Sequence, residues 1–266
     1  MRELVGRGRD SALIGLKLVE LPSEGKVVLG GSGETLAVVL SGILEVLLPS
    51  GRMEQIGGRQ SVFDGPGHSV YIPARTSCSI RSVAGDAQVA VVDCPLVKGS
   101  NQGSGPARNK AEGSLGCQAR VISPAEQCIE SRGRSSWLRE VRTILGPQDQ
   151  ACRLLVGETV NPPGNWSSFP PHKHDADDLP EEARLEEVYL FKIAPRDGFG
   201  IQVNYGNGSE TARVVHDGDV EVIKDGYHPV AAAPGYSLYY LWMMAGAGRE
   251  MAARVDPAHA WIESAS

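Results

Sequence analysis

The segment NWSSFPPHKHD, Asn165 to Asp175, sets His172 and His174 one residue apart behind a run of turn-forming residues. On a β-strand successive side chains alternate, so the two imidazoles would share one face while Lys173 points away. Such a pair is a two-pronged ligand for a divalent first-row metal, which also wants a carboxylate on a converging strand. Glu186 and Glu187 stand at the head of the strand-like run LEEVYLFKI, after an acidic stretch that reads as a solvated loop or lid. His228 follows further on, in GYHP, at the start of another strand. By itself a histidine pair in a Pro-rich loop is as well explained by solvation, so the matching carboxylate and the distant histidine carry the argument.

The elements that would position these residues are short strands. The 32 glycines and 17 prolines among 266 residues are scattered, as expected for frequent turns, and 41% hydrophobic content suits a globular core. ETLAVVLSGILEVLLPSG, Glu34 to Gly51, reads as two strands joined at Ser41-Gly42, and HSVYIPARTSCSI, His68 to Ile80, as one. EEVYLFKIAPRDGFGIQVNYG is a pair of strands around a turn at Pro195 to Gly198. Helix signals are few: Ser123-Pro124-Ala125-Glu126 should open a short helix with Ser123 as N-cap, and residues 179–185 a single turn. The stretch 98–116, rich in Gly, Ser and Asn, reads as a linker between an N-terminal part, 1–97, and a C-terminal part, 117–266. The order of strand, tight turn, strand and Gly-led strand recurs in both parts, which suggests an internal duplication.

A net charge of −6 and a pI near 5.6 argue against nucleic acid or an anionic membrane as partner. No apolar run reaches the length of a membrane span, and the charged N-terminus carries no apolar signal core, so a cytoplasmic protein acting on a small molecule is expected. The five cysteines, Cys78, Cys94, Cys117, Cys128 and Cys152, contain no CxxC pair and read as thiols.

His-x-His, then Glu, then a distant His resembles the two-motif signature of cupins, although the acidic insertion 175–186 lengthens the usual spacing. More specifically, NPPGNWSSFPPHKHD, LEEVYLFKI, GFGIQ, GYHPVAAAPGYSLYYLWMMAG and DPAHAWI are similar to the bicupin 5-deoxyglucuronate isomerases of bacterial inositol catabolism, strongly over Leu154 to Ile262 and in layout only before that. The resemblance implies an all-β chain of two jelly-roll barrels and an aldose–ketose isomerase. One divalent metal ion, Zn or Mn ahead of Fe, Co or Ni, would be held by His172, His174, Glu187 and His228. It also implies a sugar-acid substrate, and an inert first barrel with an exposed sheet edge points to a homo-oligomer. Glu187 is preferred to Glu186 because it directly precedes Val-Tyr. In the N-terminal barrel Cys78 stands where a metal-binding histidine would be expected, so that barrel is read as metal-free.

Tyr189 shares the strand face of Glu187, and Tyr189 and Gln202 are placed in the pocket, Gln202 as an orienting group because amides do not titrate. The general base stays open among Glu186, Tyr189, Lys173 and a metal-bound hydroxide. Arg249 is a candidate clamp for the substrate carboxylate, or else a surface ion-pair residue. His68, His216 and His259 read as structural, and Tyr236, Tyr239, Tyr240 and Trp242 as mostly core. The rival functions are a 4-deoxy-uronate ketol-isomerase, a cupin dioxygenase and a sugar-binding cupin without turnover.

Overall fold

The computed structural model describes residues 1–96 and 117–264; the expected linker, 98–116, lies outside the described residues. The chain divides into two compact units, Met1–Gln127 with Gln148–Leu154, and Cys128–Pro147 with Leu155–Ser266. Residues 117–127 therefore belong with the first unit.

In the first unit a six-stranded sheet runs in the order β1 (Arg2–Val5), β2 (Gly15–Leu21), β9 (Ala87–Cys94), β4 (Glu34–Ser41), β7 (Ser69–Ile72) and β10 (Arg120–Ile122). A four-stranded sheet runs β3 (Lys26–Gly31), β8 (Thr76–Ser82), β5 (Ile43–Leu47) and β6 (Met53–Gly57). In the second unit the large sheet is β11 (Cys128–Arg132), β12 (Arg139–Leu145), β13 (Leu154–Asn161), β21 (Ser237–Gly246), β16 (Leu185–Ala194) and β19 (Val220–Ile223). The small one is β14 (Trp166–Ser167), β20 (Val230–Ala232), β17 (Gly200–Gly206) and β18 (Ser209–Val215), and β15 (His172–Lys173) pairs with β22 (Arg254–Val255). Matching β2, β9, β4 and β7 to β13, β21, β16 and β19, and β3, β8, β5 and β6 to β14, β20, β17 and β18, reproduces one order in both units. The recurrence read in the sequence is thus a shared connectivity.

Alternation builds each core. In β8 the buried Cys78 and Ile80 alternate with the more exposed Ser77 and Ser79, and both join a cluster with Val39, Leu44, Val46 and Val70. Burial pushes the Cys78 thiol up to about 11, so it stays protonated in this apolar setting. In the same unit the wholly buried Glu34 carboxylate accepts hydrogen bonds from the Tyr71 hydroxyl (2.9 Å) and from the backbone N–H groups of Cys152, Arg153 and Leu154 (2.8, 2.6 and 2.7 Å). Four donors satisfy a group that would otherwise be costly to bury, and they fasten the segment 148–154 to its unit.

Three local expectations change. HSVYIPARTSCSI is two strands in different sheets, β7 and β8, because the chain turns at Pro73 to Arg75, with Arg75 left-handed at φ 62°. Residues 179–185 form no helix: Asp178 and Glu182 bridge in antiparallel fashion, and the N–H groups of Glu181 and Glu182 both donate to the Asp178 carbonyl. Ser123 does open a turn, a 3-10 one over Pro124–Glu126, with its backbone N–H and hydroxyl on the Glu126 carboxylate.

Candidate metal centre

Strand β16 carries Leu185, Tyr189, Phe191 and Ile193 on one face, all in the apolar core of the second unit, with the buried Glu187 between them on the same face. Its register against β21 sets Glu187 opposite Met244, Tyr189 opposite Trp242 and Phe191 opposite Tyr240, so these side chains form one inner wall. Tyr239, one residue out of phase, bonds Glu158 instead (3.0 Å). Trp242 fits because residue 157 is glycine: a Cβ there would come within 2.1 Å of the indole Cζ2.

The acidic insertion does not separate His174 from Glu187. The Leu185 N–H donates to the His174 carbonyl (2.9 Å) and the Leu185 carbonyl receives His174 Nδ1 (2.8 Å), so the loop leaves and rejoins the barrel at one point. The loop is solvated at Asp177, Asp178 and Glu181, as its composition suggests, but not at Glu182. Glu182 is 1% exposed and accepts from Lys173 Nζ (3.0 Å), Arg254 Nε (3.0 Å) and the N–H groups of Asp175 and Ala176, while Lys173 also pairs with Asp175 and Arg254 with Asp178. Burial alone would raise the Glu182 pKa, but these donors outweigh it and hold the group below its ordinary value of 4.5. A depressed carboxylate stabilises the fold above its unfolded pKa, and that contribution fades as pH falls through the folded one. Glu182→Gln is therefore expected to lower Tm at pH 7 by about 5 °C, for about 2 kcal/mol of lost pairing. Melts of both proteins from pH 7 down to pH 3 should show the gap closing in acid; a constant gap would contradict the assignment.

His174 Nε2 lies 3.0 Å and His228 Nε2 3.3 Å from Glu187 Oε2, and these three donor atoms lie within 4.8 Å of one another. The His172 ring packs edge-on against His228, with centroids 5.1 Å apart, and lines the same cavity; the pairing of β15 with β22 sets it opposite Val255. Each histidine turns Nδ1 to a backbone carbonyl: His174 to Leu185 (2.8 Å), His228 to Gly226 (3.0 Å) and His172 to Pro170 (3.4 Å). That fixes the tautomer and leaves Nε2 as the free nitrogen, an arrangement found around metal-bound imidazoles. His228 Nε2 is buried and makes no hydrogen bond.

Burial alone would raise the Glu187 pKa, but the hydrogen bond from His174 and the proximity of both His174 and His228 outweigh it and hold the carboxylate at about 2. Burial, helped by the two neighbouring imidazoles, pushes His172 down to about 3. For His174 burial is outweighed by Glu187, and its pKa rises. The Glu187 anion is balanced either by a proton on His174 Nε2 or by a divalent ion set between the carboxylate and the imidazole nitrogens. Two donors each about 2.1 Å from one ion stand roughly 3.0–3.4 Å apart at bond angles from a right angle to tetrahedral, which matches the observed 3.0 and 3.3 Å. The donor set fits a divalent metal.

The cavity beside this cluster holds about 270 Å³ and takes in His172, His174, Glu187, Tyr189, Tyr240 and Trp242. Burial raises the Tyr189 pKa well above the ordinary tyrosine value, so the phenol keeps its proton, and its oxygen lies 3.1 Å from Ser168 Oγ. Gln202 is not on the cavity wall. It is fully buried and its amide donates to the His228 carbonyl (3.2 Å), so it supports the ligand strand. Arg249 is also elsewhere, capping the carbonyls of Gly146 and Pro147. Glu186 and Lys173 do not line the cavity either. The residues that sequence reasoning missed are Arg132, Arg139, Thr159, Ser168 and Glu263, all on the cavity wall.

Two antiparallel barrels of one connectivity, with a cavity and a His/Glu cluster inside the second, define a bicupin. The chain belongs to the KduI/IolB family, whose model matches residues 5–262. It is 40% identical over 232 residues to the 5-deoxy-glucuronate isomerase of Geobacillus kaustophilus, covering 86% of this chain and 78% of that relative. Its structure is similar to that of an IolB-like protein from Salmonella typhimurium, with a TM-score of 0.86 at 30% identity over 98% of this chain and 94% of that one. A TM-score of 0.65 at 12% identity to the oxalate decarboxylase of Lactobacillus farciminis, covering 99% and 85% of the two chains, reflects the shared fold alone.

Proposed function

We propose that this chain is a metal-dependent aldose–ketose isomerase that converts 5-deoxy-D-glucuronate to 5-dehydro-2-deoxy-D-gluconate. The observation that carries the reading is the convergence of His174, Glu187 and His228 beside a cavity sized for a small sugar acid. His172, His174, Glu187 and His228 would hold one divalent ion, Zn or Mn ahead of the alternatives, which supplies Lewis-acid stabilisation of developing enediolate charge.

The reaction takes the proton from C2 and returns one to C1. What the chain contributes is positioning and a dry, polarised wall. Tyr189 keeps its proton and offers it as a hydrogen bond to a substrate oxygen, with Ser168 orienting the phenol. Phe191, Tyr240 and Trp242 pack around this donor and limit the entry of water. Glu186 and Lys173 stand outside the cavity, the lysine tied to Asp175 and Glu182, so neither is placed to take the C2 proton.

Ketose formation from 5-deoxy-D-glucuronate, run beside a 4-deoxy-uronate substrate and with an oxygen electrode in the cell, tests the reading. Turnover of the first substrate without oxygen uptake is expected. Preference for the second would move the assignment to the ketol-isomerase, and oxygen uptake would move it to a dioxygenase.

A further inference from the structure

We propose that Arg132 and Arg139 form the clamp that receives the substrate's carboxylate at the far end of the cavity from the His/Glu cluster; this rests on the isomerase reading above. The two arginines are direct register partners across the β11–β12 pair, and both line the cavity. Like charges set directly opposite on neighbouring strands repel, so the arrangement is stabilised when an anion lies between them.

The surroundings of Arg139 argue the same way. Its guanidinium is only partly exposed, donates from Nη1 to the Trp137 carbonyl (3.3 Å) and sits over the Trp137 ring at 5.8 Å. No carboxylate among the described residues ion-pairs with it. Arg132 has only the exposed Glu130 on its own strand (2.6 Å), a pair that solvent screens. Glu263 also lines the cavity and pairs with neither arginine. A half-buried Arg139 without a carboxylate partner is costly to keep, and a planar guanidinium on a cavity wall can match a carboxylate in two hydrogen bonds.

The fork is held in advance. Gly133 is left-handed at φ +80°, and a Cβ there would come within 2.3 Å of the Trp137 carbonyl and 2.9 Å of Arg139 Nη1, so the tight turn that seats Trp137 under Arg139 needs glycine. The scale suits the substrate too. Arg132 and Arg139 line the same cavity of about 270 Å³ as His172, His174, Glu187 and Tyr189, so a six-carbon acid can meet the arginines with its carboxylate and the His/Glu cluster with its aldehyde.

The test compares wild type with Arg139→Ala, Arg139→Lys and Arg132→Ala on 5-deoxy-D-glucuronate and on 5-deoxy-D-glucose, which carries an alcohol in place of the acid. For Arg139→Ala, KM for the acid is expected to rise about 10- to 100-fold with kcat largely kept, while the neutral sugar is unaffected. Arg139→Lys, which keeps the charge and loses the fork, should fall between, with unchanged circular dichroism. Equal losses on both sugars, or none on the acid, would overturn the clamp. Calorimetry with D-glucuronate separates this from the isomerase reading. If wild type binds that acid but turns nothing over, the reaction is wrong, and the clamp still stands or falls on whether Arg139→Ala weakens binding by the same factor.

Discussion

His174→Ala and Glu187→Gln should each reduce isomerase turnover by about a thousand-fold or more, the size of losing the leading electrostatic contribution in a site of this kind. The reasoning starts from the geometry. Glu187 Oε2 is the shared vertex, 3.0 Å from His174 Nε2 and 3.3 Å from His228 Nε2. Glu187→Gln preserves volume but removes the charge that balances a cation, while His174→Ala removes a nitrogen already aimed by the Leu185 carbonyl. Both variants should lose bound metal while the β circular dichroism spectrum is kept, because the large sheet is held by the full β16–β21 register and not by these side chains. Metal retained at the wild-type level in either variant would contradict the assignment of that ligand.

Tyr189→Phe is expected to lower kcat by about 100-fold with little change in KM, the usual scale for losing one positioned proton donor. The substitution keeps the ring, which packs at 4.4 Å from Tyr240 and 5.9 Å from Phe191, so the wall of the cavity should survive. It removes only the hydroxyl, buried beside Ser168 Oγ. Because burial holds the phenol protonated, activity should show no loss from Tyr189 ionisation on the acid side of its ordinary pKa of 10. A KM increase with kcat unchanged would assign Tyr189 to substrate binding alone.

Parts of this site could be read from the chain and parts could not, for physical reasons. The face shared by Glu187 and Tyr189 follows from strand alternation, and both side chains line one cavity. The ligand pattern resisted the long insertion because the loop closes on itself through His174 and Leu185. The same insertion hid the role of one of its charges, although Asp177, Asp178 and Glu181 are exposed as its composition suggests. Five acidic residues in a short run look solvated, but Lys173 and the distant Arg254 bury Glu182 among them, and no local pattern announces a partner so far away.

Arginine placement failed in a similar way. Arg249 read by type as either a clamp or a surface ion-pair residue, and its guanidinium donates to the Gly146 and Pro147 carbonyls. Arg132 and Arg139 gave no signal because β11 is exposed along its whole length and lacks apolar alternation. Only the register across β11 and β12 sets them opposite each other. In the first unit the Ser-Gly junction of β4 and β5 was legible from turn chemistry, while the break at Pro73 to Arg75 was hidden inside an apparently continuous strand.

The most direct measurement is elemental analysis of the purified protein joined to the 5-deoxy-D-glucuronate isomerase assay, before and after chelation and after readdition of Zn or Mn. About one divalent ion per chain, turnover lost on chelation and restored with the metal, is the predicted result. Full turnover by protein stripped of metal would contradict the account.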